Sequence, residues 1–159
     1  MAPDSLGRGR HLATPQFAGD EGSADLALRE AIAAGPQLLD DGLARDLVLE
    51  LLMDSRLLVA VVAVLDAVDE HGGDKDSHMT VVSMISPGGE RGLLAFTGVD
   101  SMASWDPAAR PVPVTGPDAA RAALESEATA IVIDVMGPAR HVVTGERLAF
   151  LAQGQPAGA

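Results

Sequence analysis

The sequence predicts an α+β fold in which helices cover a mixed β-sheet, and three features predict it. Two dense apolar runs, residues 57–65 and 130–135, are rich in valine and isoleucine. That composition suits strands buried on both faces. A Pro87-Gly88-Gly89-Glu90 turn separates two further apolar stretches, which signals a hairpin and antiparallel pairing in the first half. Beyond Gly98, segments with helical spacing alternate with short strands, so the second half adds strand–helix alternation to the sheet.

Along the chain, residues 1–22 hold glycine, proline, aspartate and arginine without apolar periodicity. They read as a flexible tail, residues 23–153 as one domain, and residues 154–159 as a frayed end. Ser23 is the expected N-cap of a first helix, with Leu26, Ile32 and intervening alanines as its apolar stripe. Gly35-Pro36 ends it, because proline lacks the N–H and biases its predecessor away from helix. A second helix is expected over residues 41–53. Leu43, Leu47 and Leu51 recur at spacing four, Val48 and Leu52 fill the adjacent row, and Arg45, Asp46 and Glu50 fall opposite. The first strand follows at 57–65, then a polar loop over 66–77, a strand at 79–85, the glycine turn and a returning strand at 93–97. These three strands are expected to form one antiparallel run.

Val99, Met102 and Trp105 space a short helix that Asp106-Pro107 stops. Residues 111–114 carry two prolines and belong at a sheet edge. Pro117 opens a helix that runs to Ser126, with Thr115 or Gly116 near its cap. The strand at 130–135, a Gly137-Pro138 turn, a strand at 141–143 and a helix at 145–152 complete the chain. The two apolar runs are expected to lie adjacent within the sheet, beneath helices.

Composition narrows function mainly by exclusion. The chain has 159 residues, no cysteine and a formal net charge of −12. Disulfides, zinc–thiolate sites and thiol nucleophiles are therefore excluded, and a reducing cytoplasm is the expected location. So acidic a chain repels nucleic acid and anionic membrane surfaces, while a protein partner with a basic face is permitted. The run 57–65 is far shorter than the roughly 20 residues of a membrane span. No phosphate loop, GxSxG elbow or HExxH motif occurs. Gly88, Gly89 and Gly92 sit in or beside a hairpin turn rather than a nucleotide cradle.

Three candidates carry chemistry. Asp66, Asp69, Glu70, His71, Asp74, Asp76 and His78 cluster in one loop and offer ligands for a hard divalent cation. Their spacing is not that of a calcium loop, because Met79 and Ile85 stand where glycine and glutamate belong. A solvated acidic loop is the expected state, with no metal or cofactor. Asp134 lies at the end of an apolar strand, where α/β sheets often place functional groups, or where a carboxylate caps a turn. Trp105, the sole tryptophan, serves as a binding anchor or packs on the core. His141, in an apolar strand, reads as structural.

One order of segments resembles a known family. It runs Asp54-Ser55-Arg56-Leu57-Leu58-Val59, then Asp74-Lys75-Asp76 through Met79, then Leu94-Ala95-Phe96-Thr97. Trp105-Asp106-Pro107, Arg110-Pro111-Val112-Pro113-Val114, Ile133-Asp134-Val135 and Gly137-Pro138 follow. From about residue 43 to 154 the chain resembles the SseB family, named for enhanced serine sensitivity, and within it the actinobacterial branch. The resemblance implies an α+β unit with a mixed sheet. It carries no catalytic residue across, and many relatives place an Asn-Pro pair near the position of Asp134-Val135. The expected function is a non-enzymatic protein-interaction or regulatory module. The alternative is a small-molecule site, or an enzyme, built around Asp134, Thr97 and Trp105.

Overall fold

Seven strands form one mixed sheet in a computed structural model of the chain, which describes residues 17–35, 37–38, 44–65 and 77–154. Helix α1 (Leu26–Ala34) comes first, followed by a two-stranded ribbon of β1 (Gln37–Leu38) and β2 (Ala44–Arg45), and by α2 (Leu47–Leu52). The sheet then begins with β3 (Arg56–Leu65), β4 (Ser77–Val81), β5 (Ser83–Ile85) and β6 (Arg91–Phe96). Helix α3 (Val99–Trp105), β7 (Arg110–Thr115), α4 (Gly116–Glu125), β8 (Ala130–Ile133), β9 (His141–Thr144) and α5 (Gly145–Gln153) complete it.

Local chemistry sets the helix ends. Asp25, not Ser23, caps α1: its side chain accepts from the Leu28 N–H at 3.2 Å. Ser23 instead gives its carbonyl to the Arg56 guanidinium. Gly35, at φ 76°, closes the helix in a conformation that suits glycine. Helix α2 starts later than the leucine spacing predicts. The Asp46 carboxylate accepts from the Leu49 N–H at 2.9 Å and fixes the start at Leu47, while Ala44–Arg45 pairs with Gln37–Leu38.

The antiparallel first half is present, with one departure from expectation. Residues 79–85 do not form one strand. β4 pairs with β3 (Val61↔Val81 to Leu65↔Ser77), and β5 pairs with β6 (Ser83↔Leu93 to Ile85↔Arg91). The direction reverses at Val82, whose N–H donates to the Ala60 carbonyl at 2.9 Å and whose carbonyl accepts from Leu94 at 3.0 Å. β3 and β6 pair directly only at Leu58↔Phe96 and Val59↔Ala95. Beyond that point they splay, and the β4–β5 segment fills the fork as a wedge with Val82 at its apex.

β7 occupies the other side of β3, in register from Arg56↔Thr115 to Val61↔Arg110. Its only strand partner among the described residues is β3, so the proline-bearing strand is an edge, as its sequence requires. β8 runs parallel to β6 (Gly92↔Ala130 to Ala95↔Ile133), and β9 closes the far edge antiparallel to β8. The apolar runs in β3 and β8 are thus not adjacent. Both flank β6, which lies between them.

Alternation along the strands divides the core in two. Leu57, Val59, Leu93, Ala95, Ile131 and Ile133 face α1, α2, α4 and α5, whose Leu28, Leu52, Ala123, Leu148 and Leu151 complete the larger layer. Leu58, Ala60, Leu94, Phe96 and Val132 face the other way, toward Met102 and Trp105 of α3. Each large side chain buried in these layers contributes roughly 1.5–3 kcal/mol. No helix among the described residues is long and apolar enough to cross a membrane.

Close packing is tightest where α4 begins. The Gly116 N–H donates to the Ser55 carbonyl at 3.0 Å, and a Cβ on Gly116 would sit 1.9 Å from the Leu52 backbone oxygen. We therefore expect Gly116→Ala to push α4 off the end of α2 and lower stability by about 2 kcal/mol or more, because backbone cannot yield as a side chain does. Urea denaturation reads this directly. An unchanged midpoint would mean that α4 enters by another route.

Candidate functional site

The parallel pairing of β6 and β8 brings two strand ends out side by side. Thr97 follows β6 and Asp134 follows β8 by one residue each. The Asp134 N–H donates to the Ala95 carbonyl at 3.0 Å and prolongs the ladder by one bond. There the chain bends. Asp134 takes φ 52°, a left-handed conformation that aspartate tolerates better than most residues, and its carbonyl accepts from the Gly137 N–H at 2.9 Å.

The bend turns the carboxylate back onto β6. Asp134 Oδ1 accepts from the Thr97 N–H at 2.8 Å, and Oδ2 accepts from the Thr97 hydroxyl at 2.7 Å. Thr97 is 0% exposed and Asp134 1%. The hydroxyl oxygen in turn accepts from Arg29 Nη2 at 2.7 Å and Nε at 3.2 Å. Arg29 forks onto Asp100, with Nη1 to Oδ2 at 2.8 Å and Nη2 to Oδ1 at 2.9 Å. Arg56 completes the cluster from β3. It donates to the Thr97 carbonyl at 3.0 Å and pairs with Asp20 at 2.7 Å.

Thr97 is the hub of this arrangement, since its N–H, hydroxyl and carbonyl are all engaged. The side-chain ties reach α1 through Arg29, α3 through Asp100 and β3 through Arg56. Among the described residues, no buried side-chain nitrogen or oxygen lacks a partner. Electrostatics follow the same geometry. The hydrogen bonds from Arg29 hold the Asp100 carboxyl down at about 2, and the same pairing raises Arg29 above its usual value. The Thr97 hydroxyl donates a hydrogen bond to Asp134, faces a guanidinium and is enclosed, so it is positioned as a fastener between strand ends.

Of the three residues of the small-molecule alternative, the structure joins Thr97 and Asp134 and places Trp105 elsewhere. Trp105 ends α3 with its ring centroid 5.6 Å from that of Phe96. There it lines a groove of about 380 Å³ with Ala60, Val62, Val82 and Arg110. His141 pairs with Ile133 across the sheet edge. Burial pushes its imidazole below the usual value, Arg147 adds to this, and Asp46 opposes it. Of the cluster Asp66 to His78, residues 66–76 lie outside the described residues, and His78 stands not in a loop but in β4, opposite Val64. Among those described, no group of three or more histidines and carboxylates is placed to hold a metal.

Arg29, Asp100, Arg56 and Asp20 were not singled out by sequence reasoning. A usable signal existed for Arg56, a cation directly ahead of an apolar strand. None marks Arg29, whose partner Asp100 is 71 residues away.

The chain matches the family described as SseB protein N-terminal domain over residues 28–149. That match spans well over half of its length, and the chain belongs to the SseB family. No curated protein and no solved structure matches it.

Two outcomes test the cluster. Asp134→Ala strands the buried Thr97 N–H and hydroxyl and should cost about 2–4 kcal/mol in chemical denaturation. Asp134→Asn keeps one acceptor and tolerates the backbone, so it should cost less. Equal losses would show that burial, not the paired acceptors, sets the cost. Because folding lowers the Asp100 value from 3.8 to about 2, its contribution is complete above the unfolded value and is lost as pH falls toward the folded one. The Asp100 side chain is 65% exposed, so solvent screening keeps the effect small. Asp100→Asn should lower stability slightly at neutral pH, where the contribution is complete, and flatten the profile in that acid window, where the parent loses it and the two converge.

Proposed function

We propose that this SseB-family chain is a non-enzymatic protein-interaction or regulatory module acting in the cytoplasm, with residues 23–153 as its working unit and Asp20, ahead of them, tied to it through Arg56. The motif order supports placing it in the actinobacterial branch. One observation carries the functional reading: among the described residues, the cluster of ionisable groups around Thr97 is spent on the fold itself. Arg29, Arg56, Asp20, Asp100 and Asp134 close around Thr97, and each polar contact there is made within the fold. A reactive centre needs a nucleophile, acid or base with an open side toward a substrate. Here the hydroxyl and the carboxylate lie under the surface. An exterior with the chain's net charge of −12 suits a surface kept soluble and selective for its partners.

The small-molecule alternative around Thr97, Asp134 and Trp105 takes its support from the groove of about 380 Å³ beside Trp105. Thr97 and Asp134 are enclosed and do not line that groove. The interaction reading rests on more of the molecule.

Photo-crosslinking mass spectrometry in cells tests it. Amine-directed reagents are unsuitable because Lys75 is the only lysine. The reading expects a reproducible partner in stoichiometric yield. Recovery of nothing above control after crosslinking would sink it.

A further inference from the structure

We propose that residues 17–24 hold the place of a partner: they lie as a removable strap across a groove that a partner protein's Asp–apolar–Gly segment fills better. This deepens the interaction-module reading and rests on it.

The groove runs along β3 and β7 on the α3 side of the sheet. Register sets Leu58 opposite Pro113 and Ala60 opposite Pro111, and paired residues of an antiparallel ladder share a face. Leu58 faces α3, so both prolines stand on that side. Arg56, two residues before Leu58, heads the row. Val99, the first residue of α3, forms the facing wall.

The strap crosses this groove on polar contacts at two points. At the first, the Asp20 carboxylate pairs with Arg56 at 2.7 Å and accepts from the Gly22 N–H at 2.7 Å. At the second, the Gly22 carbonyl accepts from the Val99 N–H at 2.8 Å, and the Ser23 carbonyl accepts from Arg56. Glycine is required there. It takes φ 84°, and a Cβ on it would sit 2.4 Å from a Val99 methyl carbon. The groove therefore reads a carboxylate and, two residues on, a glycine.

Two observations mark the strap as a poor occupant. Of residues 17–24 only Gly22 is buried, and none of their side chains belongs to either core layer. A segment that buries so little opens at small cost. The strap also leaves a cavity of about 140 Å³ between itself and Leu58, Val99 and the two prolines. Glu21, between the two anchors, borders that space and is exposed, and Val99 stays 41% exposed. An apolar side chain in place of Glu21 would fill the space. It would also bring one carboxylate fewer to a chain of net charge −12.

The probes are synthetic peptides matching residues 17–25, titrated against the full chain and followed through its backbone amide chemical shifts. The Glu21→Leu peptide should bind about ten-fold more tightly than the unaltered one, with its largest shifts at Leu58 and Val99. Asp20→Ala in the chain loosens the strap. It should strengthen binding of that peptide about ten-fold and speed hydrogen exchange at the Val99 N–H, while the rest of the sheet keeps its protection. Adding Gly22→Ala to the peptide should abolish binding. Four results would overturn the proposal: the Glu21→Leu peptide fails to bind the Asp20→Ala chain, it binds the parent equally well, the added Gly22→Ala leaves its affinity intact, or Asp20→Ala unfolds the domain and so makes the strap part of the fold. A parent-chain dimer that Asp20→Ala dissociates in sedimentation equilibrium would overturn it in favour of straps exchanged between two copies. If the peptides fail while cellular crosslinking returns a partner, the groove assignment falls and the module reading stands. If both fail, both fall.

Discussion

The carboxylate of Asp134 closing on Thr97 is the interaction on which the rest of the molecule depends. It ties the ends of the one parallel strand pair, β6 and β8, in an otherwise antiparallel sheet. Parallel neighbours need a crossover rather than a tight turn. Here α3, β7 and α4 make that long excursion and then return. Nothing local fixes where the returning strand must stop. The Asp134 bend fixes it, and through Thr97 the same bond organises Arg29 on α1 and Arg56 on β3. Helices on one face and the register within the sheet are thus secured at a single buried residue pair.

Much of the fold was legible in the sequence because its signals are local. Valine density marks β3 and β8, the glycine turn marks the β5–β6 hairpin, and the prolines of β7 mark an edge. What the sequence hid depends on distant partners. Residues 79–85 look continuous because no breaker interrupts them. The reversal at Val82 exists only because two splaying strands claim opposite halves. Leu43 extends the leucine spacing of α2, but the Asp46 cap outweighs it. Asp134 stood out as a charge in an apolar run. Its partners did not, since Arg29 and Thr97 meet across 68 residues of chain.

Charge is distributed by task. Acidic groups supply helix caps at Asp25 and Asp46, and arginine partners at Asp20, Asp100 and Asp118. Most of the described arginines serve the fold through these pairs. The remainder are divided between the two sides of the sheet: Arg91 and Arg110 share the register of Leu93 and Val112 on the helix-covered side, and Arg140 shares that of Val142 on the other.

The two margins of the sheet are unlike, and this limits how copies of the chain can join. β7 forms one margin and carries Pro111 and Pro113, two residues apart, so their missing N–H groups fall on the same side. β9, at the opposite margin, has no proline. Unbounded growth by strand addition needs two receptive borders on every unit. Along the stretch of β3 that β7 covers, Arg56 to Val61, that border withholds the donors an added strand would need. Lateral growth is disfavoured there by two ring-closed residues far from the buried pair that secures the fold.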